Sequence, residues 1–364
     1  MAIQFSPERW DRIRETYQLW WEGKLGRPLL PVVLTGVEAG RPMPPVPLLS
    51  QANCHDFDVS PEAVIDRIDY ELSTYCFLGD AFPVVTLTEF GPGILPLFAG
   101  AVADNSSGHV WFGPPPGLQG KAIRDIHLEY APDSRWAARI RDICRAAVRR
   151  WGGQVMVCMP DMGGGLDCLV TFLTNETLLY SLYDEPEEVR RLTWELHDLW
   201  FRVYDELNRI LRAAGNGYCD WTTLYSDDPV YALQCDFSFM IGPKMFDEFV
   251  LPELSASCRR LPRSIYHVDG SGQLPHVDSL LRIPELDVVQ WVPDPYQEES
   301  RLWPDLFRKI YRAGKKIQII KGGFEDIDAI AEATGDPEGI HRSHMYLPAG
   351  AQGQAKAHLA RYGL

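Results

Sequence analysis

His267 and Asp269 are the two residues of this 364-residue chain whose types and spacing most directly suggest chemistry. They stand in the segment Tyr266-His267-Val268-Asp269-Gly270. Two residues apart on an extended segment, their side chains share one face. There they can share a metal ion, or the carboxylate can orient the imidazole through one ring nitrogen. The competing structural reading is a His satisfied by backbone and an Asp that shapes the turn before Gly270. Glu89 and Asp161 are the next candidates. Each carboxyl can bind N–H groups, act as acid or base, or pair with Lys321. As plain structure, each is a loop-end cap, and Asp161 an Asx-turn. Lys321 can neutralise an anion or simply pair with Glu325.

Trp291 is expected as an aromatic pocket wall, with core packing as the alternative. Tyr225 and Asp294 lie just beyond two other apolar runs and join the substrate-binding candidates, with Arg41 as anion anchor. The glycines at 163–165 allow a ligand close to the backbone or make a tight turn. A catalytic zinc takes about three protein ligands. His267 and Asp269 supply two, so no tightly bound metal is expected. Eight Cys are scattered with no C-x-x-C pair, as in a reducing compartment. There is no nucleophile elbow and no P-loop.

These residues need a scaffold that brings distant segments together. Short apolar runs alternate with amphipathic stretches from end to end, the pattern of a parallel sheet covered by helices. The expected strands are 31–34, 84–88, 155–158, 217–221, 264–267, 288–291, 317–320 and 345–348. The expected helices include 61–78, 185–211, 243–261, 275–281, 303–313 and 325–333. Eight strands with intervening helices predict one α/β domain over 1–364, a (β/α)8 TIM barrel, whose reactive groups stand at the C-terminal ends of the strands. Residues 1–27 read as a helical extension capping the bottom or side. The Pro/Gly-rich stretch 91–120 reads as an insertion after the second strand, a lid or side wall. His341 and His344 precede the expected eighth strand and fall at the wrong end.

Lys and Arg total 35 against 50 Asp and Glu, a formal charge of −15. That argues against nucleic-acid and anionic-membrane partners, both of which need basic surface. No apolar run approaches the ~20 residues of a membrane span, and the charged N-terminus does not read as a signal peptide. A cytoplasmic location is expected.

Residues 235–254, CDFSFMIGPKMFDEFVLPEL, resemble the helix signature of the uroporphyrinogen decarboxylase superfamily, D-x-S-x-x-x-S-P-x-x-F-x-x-F-V-x-P-x-L. The segment holding His267 and Asp269 looks like that superfamily's H-x-D-G or H-x-C-G strand. Asp184-x-Pro186-Glu187-Glu188-Val189 resembles its D-x-P-E-x-V helix start. The resemblance spreads over most of the chain and implies the barrel. It implies either decarboxylation or methyl transfer. Of the decarboxylase pattern M-R-Q-A-G-R-Y-x-P only Arg41 is matched, with Val37 at the first arginine, and the late N-L-G-H-G is absent. The methyltransferase branch, which includes coenzyme M methyltransferases of methanogens and resembles cobalamin-independent methionine synthase, holds zinc with H-x-C and a distant Cys. Here Asp269 replaces the first Cys, and no Cys follows Cys258. The resemblance therefore implies methyl transfer to or from a small molecule, with a corrinoid carried by a partner protein. The alternatives are a decarboxylase of a porphyrinogen-like or smaller carboxylated substrate, and a non-catalytic tetrapyrrole- or corrinoid-binding protein. A homodimer is a further expected assembly.

Overall fold

The computed structural model describes residues 3–296 and 299–364. Strands in chain order are β1 (Pro31–Thr35), β2 (Cys76–Gly79), β3 (Val84–Val85), β4 (Val102–Asp104), β5 (Trp111–Gly113), β6 (Met156–Val157) and β7 (Tyr218–Cys219). They continue as β8 (Tyr225–Ser226), β9 (Val230–Leu233), β10 (Arg263–Asp269), β11 (Val288–Val292), β12 (Lys316–Ile319), β13 (Ile340–Arg342) and β14 (Met345–Pro348). The chain is a mixed α/β protein. β13-β12-β11-β10-β9 form one sheet in that order, parallel at each pairing. β3 pairs with β6 in parallel, and β1 lies between parallel β14 and antiparallel β2. Two single bridges join these arcs, Leu29 to His341 and Met159 to Asp220, both parallel.

Four expected elements change. The segment expected as the fourth strand, 217–221, holds only β7, hairpinned against β8. The parallel neighbour of β10 is instead β9, whose four residues, Val230-Tyr231-Ala232-Leu233, directly follow Pro229. The eighth strand comes in two pieces. β13 pairs with β12, and β14 continues alongside β1. The helix expected over 61–78 ends at Ser73, because Cys76–Gly79 pairs antiparallel with β1. The helix expected over 243–261 is split into Pro243–Phe249 and Leu251–Arg260. Pro252 removes a backbone donor there.

The amphipathic helix Pro186–Leu211 buries Val189, Leu192, Leu196, Leu199, Val203 and Leu207, the stripe its 3.6-residue period requires. The N-terminal helix Pro7–Trp21 begins at Ser6, whose Oγ accepts from Arg9 N at 3.3 Å. It lies across the N-terminal ends of the strands. Trp10 Nε1 donates to Gln154 O at 2.9 Å, Trp20 Nε1 to Ile340 O at 3.2 Å, and Trp21 Nε1 to Tyr225 O at 2.9 Å. Three indoles thus cover apolar surface while satisfying strand-end carbonyls. With that end covered, the open ends of the parallel strands are the C-terminal ones. Among the described residues, no helix is long and apolar enough to cross a membrane.

Candidate active site

Strand register builds the site. Leu233 of β9 pairs with Tyr266 of β10. Three residues further along each chain stand Asp236 and Asp269, just past the C-terminal end of β9 and at that of β10. His267 lies between, on the same face as Asp269. One ligand-capable atom from each of Asp236, His267 and Asp269 falls within 4.8 Å of the others. The sequence count of two possible ligands is thus one short. Asp236 was visible as the Asp of the CDFSF segment, but that segment was read only as a helix signature. β9 is not among the strands the sequence predicts, so no local pattern places Asp236 beside His267.

The same face continues across the sheet. His267 pairs in register with Gln290, Gln290 with Gln318, and Gln318 with His341. Their side chains are hydrogen-bonded in that order. His267 Nδ1 meets Gln290 Oε1, Gln290 Nε2 donates to Gln318 Oε1 at 2.6 Å, and Gln318 Nε2 donates to His341 Nδ1 at 2.9 Å. Gln318 Nε2 also reaches Thr222 Oγ1 at 3.0 Å and Thr222 O at 3.4 Å. A backbone carbonyl only accepts, so Thr222 O gives the amide chain its direction. Gln318 turns its NH2 toward Thr222 and its oxygen toward Gln290, and Gln290 turns its oxygen toward His267. His267 then carries its proton on Nδ1, and Nε2 keeps its lone pair for a ligand role. Trp221 packs edge-on against the ring at 5.1 Å.

Burial dominates the acids behind this triad. The carboxyls of Asp161 and Asp167 are each pushed up to about 7 by desolvation. Asp236 raises Asp167 further, and the Gly163 N–H opposes the shift at Asp161. The Asp167 carboxylate accepts from Asp236 N at 3.0 Å and Phe237 N at 2.7 Å, which fixes the turn carrying Asp236. Asp236 is raised by its protein surroundings and by Asp269, with His267 opposing. Gly163 and Gly164 serve close backbone packing. A Cβ on Gly164 would lie 1.9 Å from Gln234 O.

A cavity of about 570 Å³ opens beside Asp236. One wall is Val110, Trp111 and Phe112, from the 91–120 insertion; the other carries Asp167, Phe237 and Met240. The insertion, which folds as the β4–β5 hairpin and a short helix, is a side wall of this cavity. Among the described residues that line it there is no Lys or Arg.

The other candidates scatter. Glu89 is half-buried in a turn that follows Leu87, a non-Gly residue at φ +53°, and burial raises its carboxyl. It does not line the cavity. Trp291 is a correction. Register places Gln290 on the face of His267, so Trp291 points the opposite way, where it is fully buried against Trp303 with ring centroids 4.9 Å apart. Tyr225 is a second correction. It belongs to β8, packs edge-on against Tyr17, and donates to Asp227 Oδ1 at 2.6 Å. Arg41 is a third, engaged by Asp66 at 3.2 Å and Asp69 at 3.1 Å. Asp294 accepts from Ser271 N at 3.1 Å and so clamps the turn after Gly270. Lys321 is exposed and does not line the cavity, and Glu325 pairs with Arg301 at 2.8 Å. His341 and His344 precede β14, as expected, but they do not fall in a loop at the far end. His341 lies within β13, His344 sits at the break before β14, and both are buried. Burial takes the His341 imidazole well below its usual range and that of His344 down to about 3, so both are neutral.

No family model matches the chain, and no curated protein matches it. Among solved structures, the chain is similar to a methyltransferase from Methanosarcina mazei, with a TM-score of 0.53 at 12% identity over 96% of this chain and 98% of that chain. At that identity the likeness is one of fold, and it runs the whole length of both chains.

Proposed function

We propose that this chain is an enzyme of methyl-group transfer, built on one (β/α)8 barrel, that works at Asp236, His267 and Asp269 on a small molecule held in the adjoining cavity. The carrying observation is the convergence of these three groups at the C-terminal ends of β9 and β10, within 4.8 Å. Parallel arcs joined by bridges at Leu29–His341 and Met159–Asp220 support the barrel. The full-length fold likeness to a methyltransferase supports the reaction class.

One imidazole and two carboxylates suit a borderline or hard divalent ion, and the triad includes no thiolate. Such an ion, when bound, polarises a ligand heteroatom. The chain's own groups orient the imidazole through Gln290, hold Asp236 through Gln273 Nε2 at 3.2 Å, and keep Asp161 and Asp167, whose carboxyls burial raises to about 7, behind the site. A corrinoid delivered by a partner protein is the proposed methyl carrier. The decarboxylase alternative has less support, because a carboxylated substrate would meet no Lys or Arg on the cavity wall and Arg41 is already paired.

The test joins metal content to methyl transfer. After incubation with Zn²⁺ or Mn²⁺ and dialysis, about one equivalent of metal per chain is expected, and His267→Ala or Asp236→Ala should lose it. With methylcobalamin and a panel of small thiols, amines and phenols, loss of the methyl–cobalt absorbance should be enzyme-dependent and abolished by His267→Ala. No demethylation, with carbon dioxide released from a carboxylated substrate instead, would sink the reading.

A further inference from the structure

The cavity beside Asp236 has a chemical signature of its own. Its walls carry the rings of Trp111, Phe112, Phe237 and His109, and its polar side includes two carboxyl groups, Asp167 and Asp236. Among the described residues, Asp161, Asp167, Asp236 and Asp269 form no ion pair with any Lys or Arg. Asp161 is buried and Asp167 half-buried, whereas Asp236 and Asp269 are exposed; of the two that line the cavity, Asp167 is the one whose ionised form is costly unless a cation arrives. A metal at the triad would use Asp236 and Asp269, leaving Asp167 on the cavity side uncompensated. Aromatic faces attract cations through the ring quadrupole, and most strongly where water is excluded. The volume, about 570 Å³, is that of a small-molecule site.

We propose that this cavity binds an organic ammonium ion, a protonated or quaternary amine with apolar substituents, its charge beside Asp167 and its substituents against Trp111, Phe112 and Phe237. The inference rests on reading the cavity as the substrate site, and it commits that site to cationic substrates. Anions are excluded by the same carboxyls. Trp111, which is 67% exposed, stands at the mouth and covers the ligand from the solvent side.

The test is calorimetric titration of the full chain with three probes of similar size, benzyltrimethylammonium, benzyl alcohol and benzoate. The cation should bind at least about tenfold more tightly than the alcohol, and benzoate not measurably. Trp111→Ala, a change on an exposed hairpin, should weaken the cation several-fold and the alcohol less. Asp167→Asn, checked for folding by circular dichroism, should erase the preference for the cation. His267→Ala should leave cation binding intact, so a failed metal site and a failed cation site give different results. Benzoate binding as tightly as the cation, equal affinity for cation and alcohol, or no binding of any probe would overturn the proposal.

Discussion

His267 and Gln290 face each other directly across β10 and β11, and the amide oxygen of Gln290 receives the Nδ1 proton of the imidazole. Two elements that meet only through tertiary pairing thus decide which nitrogen of His267 is free. Gln290 touches neither Asp236 nor Asp269 in any hydrogen bond of the described residues, so it is a positioning residue.

Gln290→Leu should therefore weaken metal binding by ~10–100-fold while leaving the three ligand groups in place. Gln290→Glu, which keeps an acceptor opposite Nδ1, should restore most of the affinity. Competition titration with a chromophoric chelator measures both. Equal losses in the two variants would mean that the amide has no orienting role beyond packing.

Asp161 provides a pH test. Its folded carboxyl titrates at about 7, above its ordinary 3.8, because it is buried. The folded state therefore holds this proton where the unfolded chain has released it, and stability falls as pH rises from about 4 through about 7. Asp161→Asn removes that dependence. In the presence of a chelator, the melting temperature of the variant relative to the parent should rise between pH 5 and pH 8. The gain is on the order of a few kcal/mol at most. A difference that stays flat, or that shrinks toward pH 8, would contradict the burial argument.

Trp291 separates core from pocket. Because it is fully buried against Trp303 on the face opposite His267, Trp291→Ala should cost about 3–5 kcal/mol in urea unfolding. Binding of benzyltrimethylammonium to the folded fraction should be unchanged. A variant of normal stability with impaired binding would return Trp291 to the pocket wall.

Part of the local pattern is legible in the sequence. The shared face of His267 and Asp269 follows from the two-residue period of a strand, and the buried stripe of Pro186–Leu211 from the 3.6-residue period of a helix. The alternation of apolar runs with amphipathic helices carried the α/β class. Val- and Ile-rich runs buried on both faces mark most of the expected strands, although β9, equally buried, is not among them. β13 did not, because Ile340-His341-Arg342 contains two polar side chains, one of them satisfied only by Gln318 on the neighbouring strand.

Only the tertiary structure decided the site's membership. Asp236 joins His267 because β9 and β10 pair in one register, and a shift by a single residue would turn His267 to the other face. Trp291 and Gln290 are neighbours in sequence. Which of them faces inward depends on the parity of β11 against β10, and the sequence of β11 alone does not contain it. Arg41 and Tyr225 have the right chemistry for a pocket, but Asp66, Asp69 and Asp227 hold them elsewhere. Periodicity along one segment is a local property of the chain. Register, facing and partner choice are settled between segments, where burial and hydrogen bonding across strands select one arrangement from several that each segment would accept.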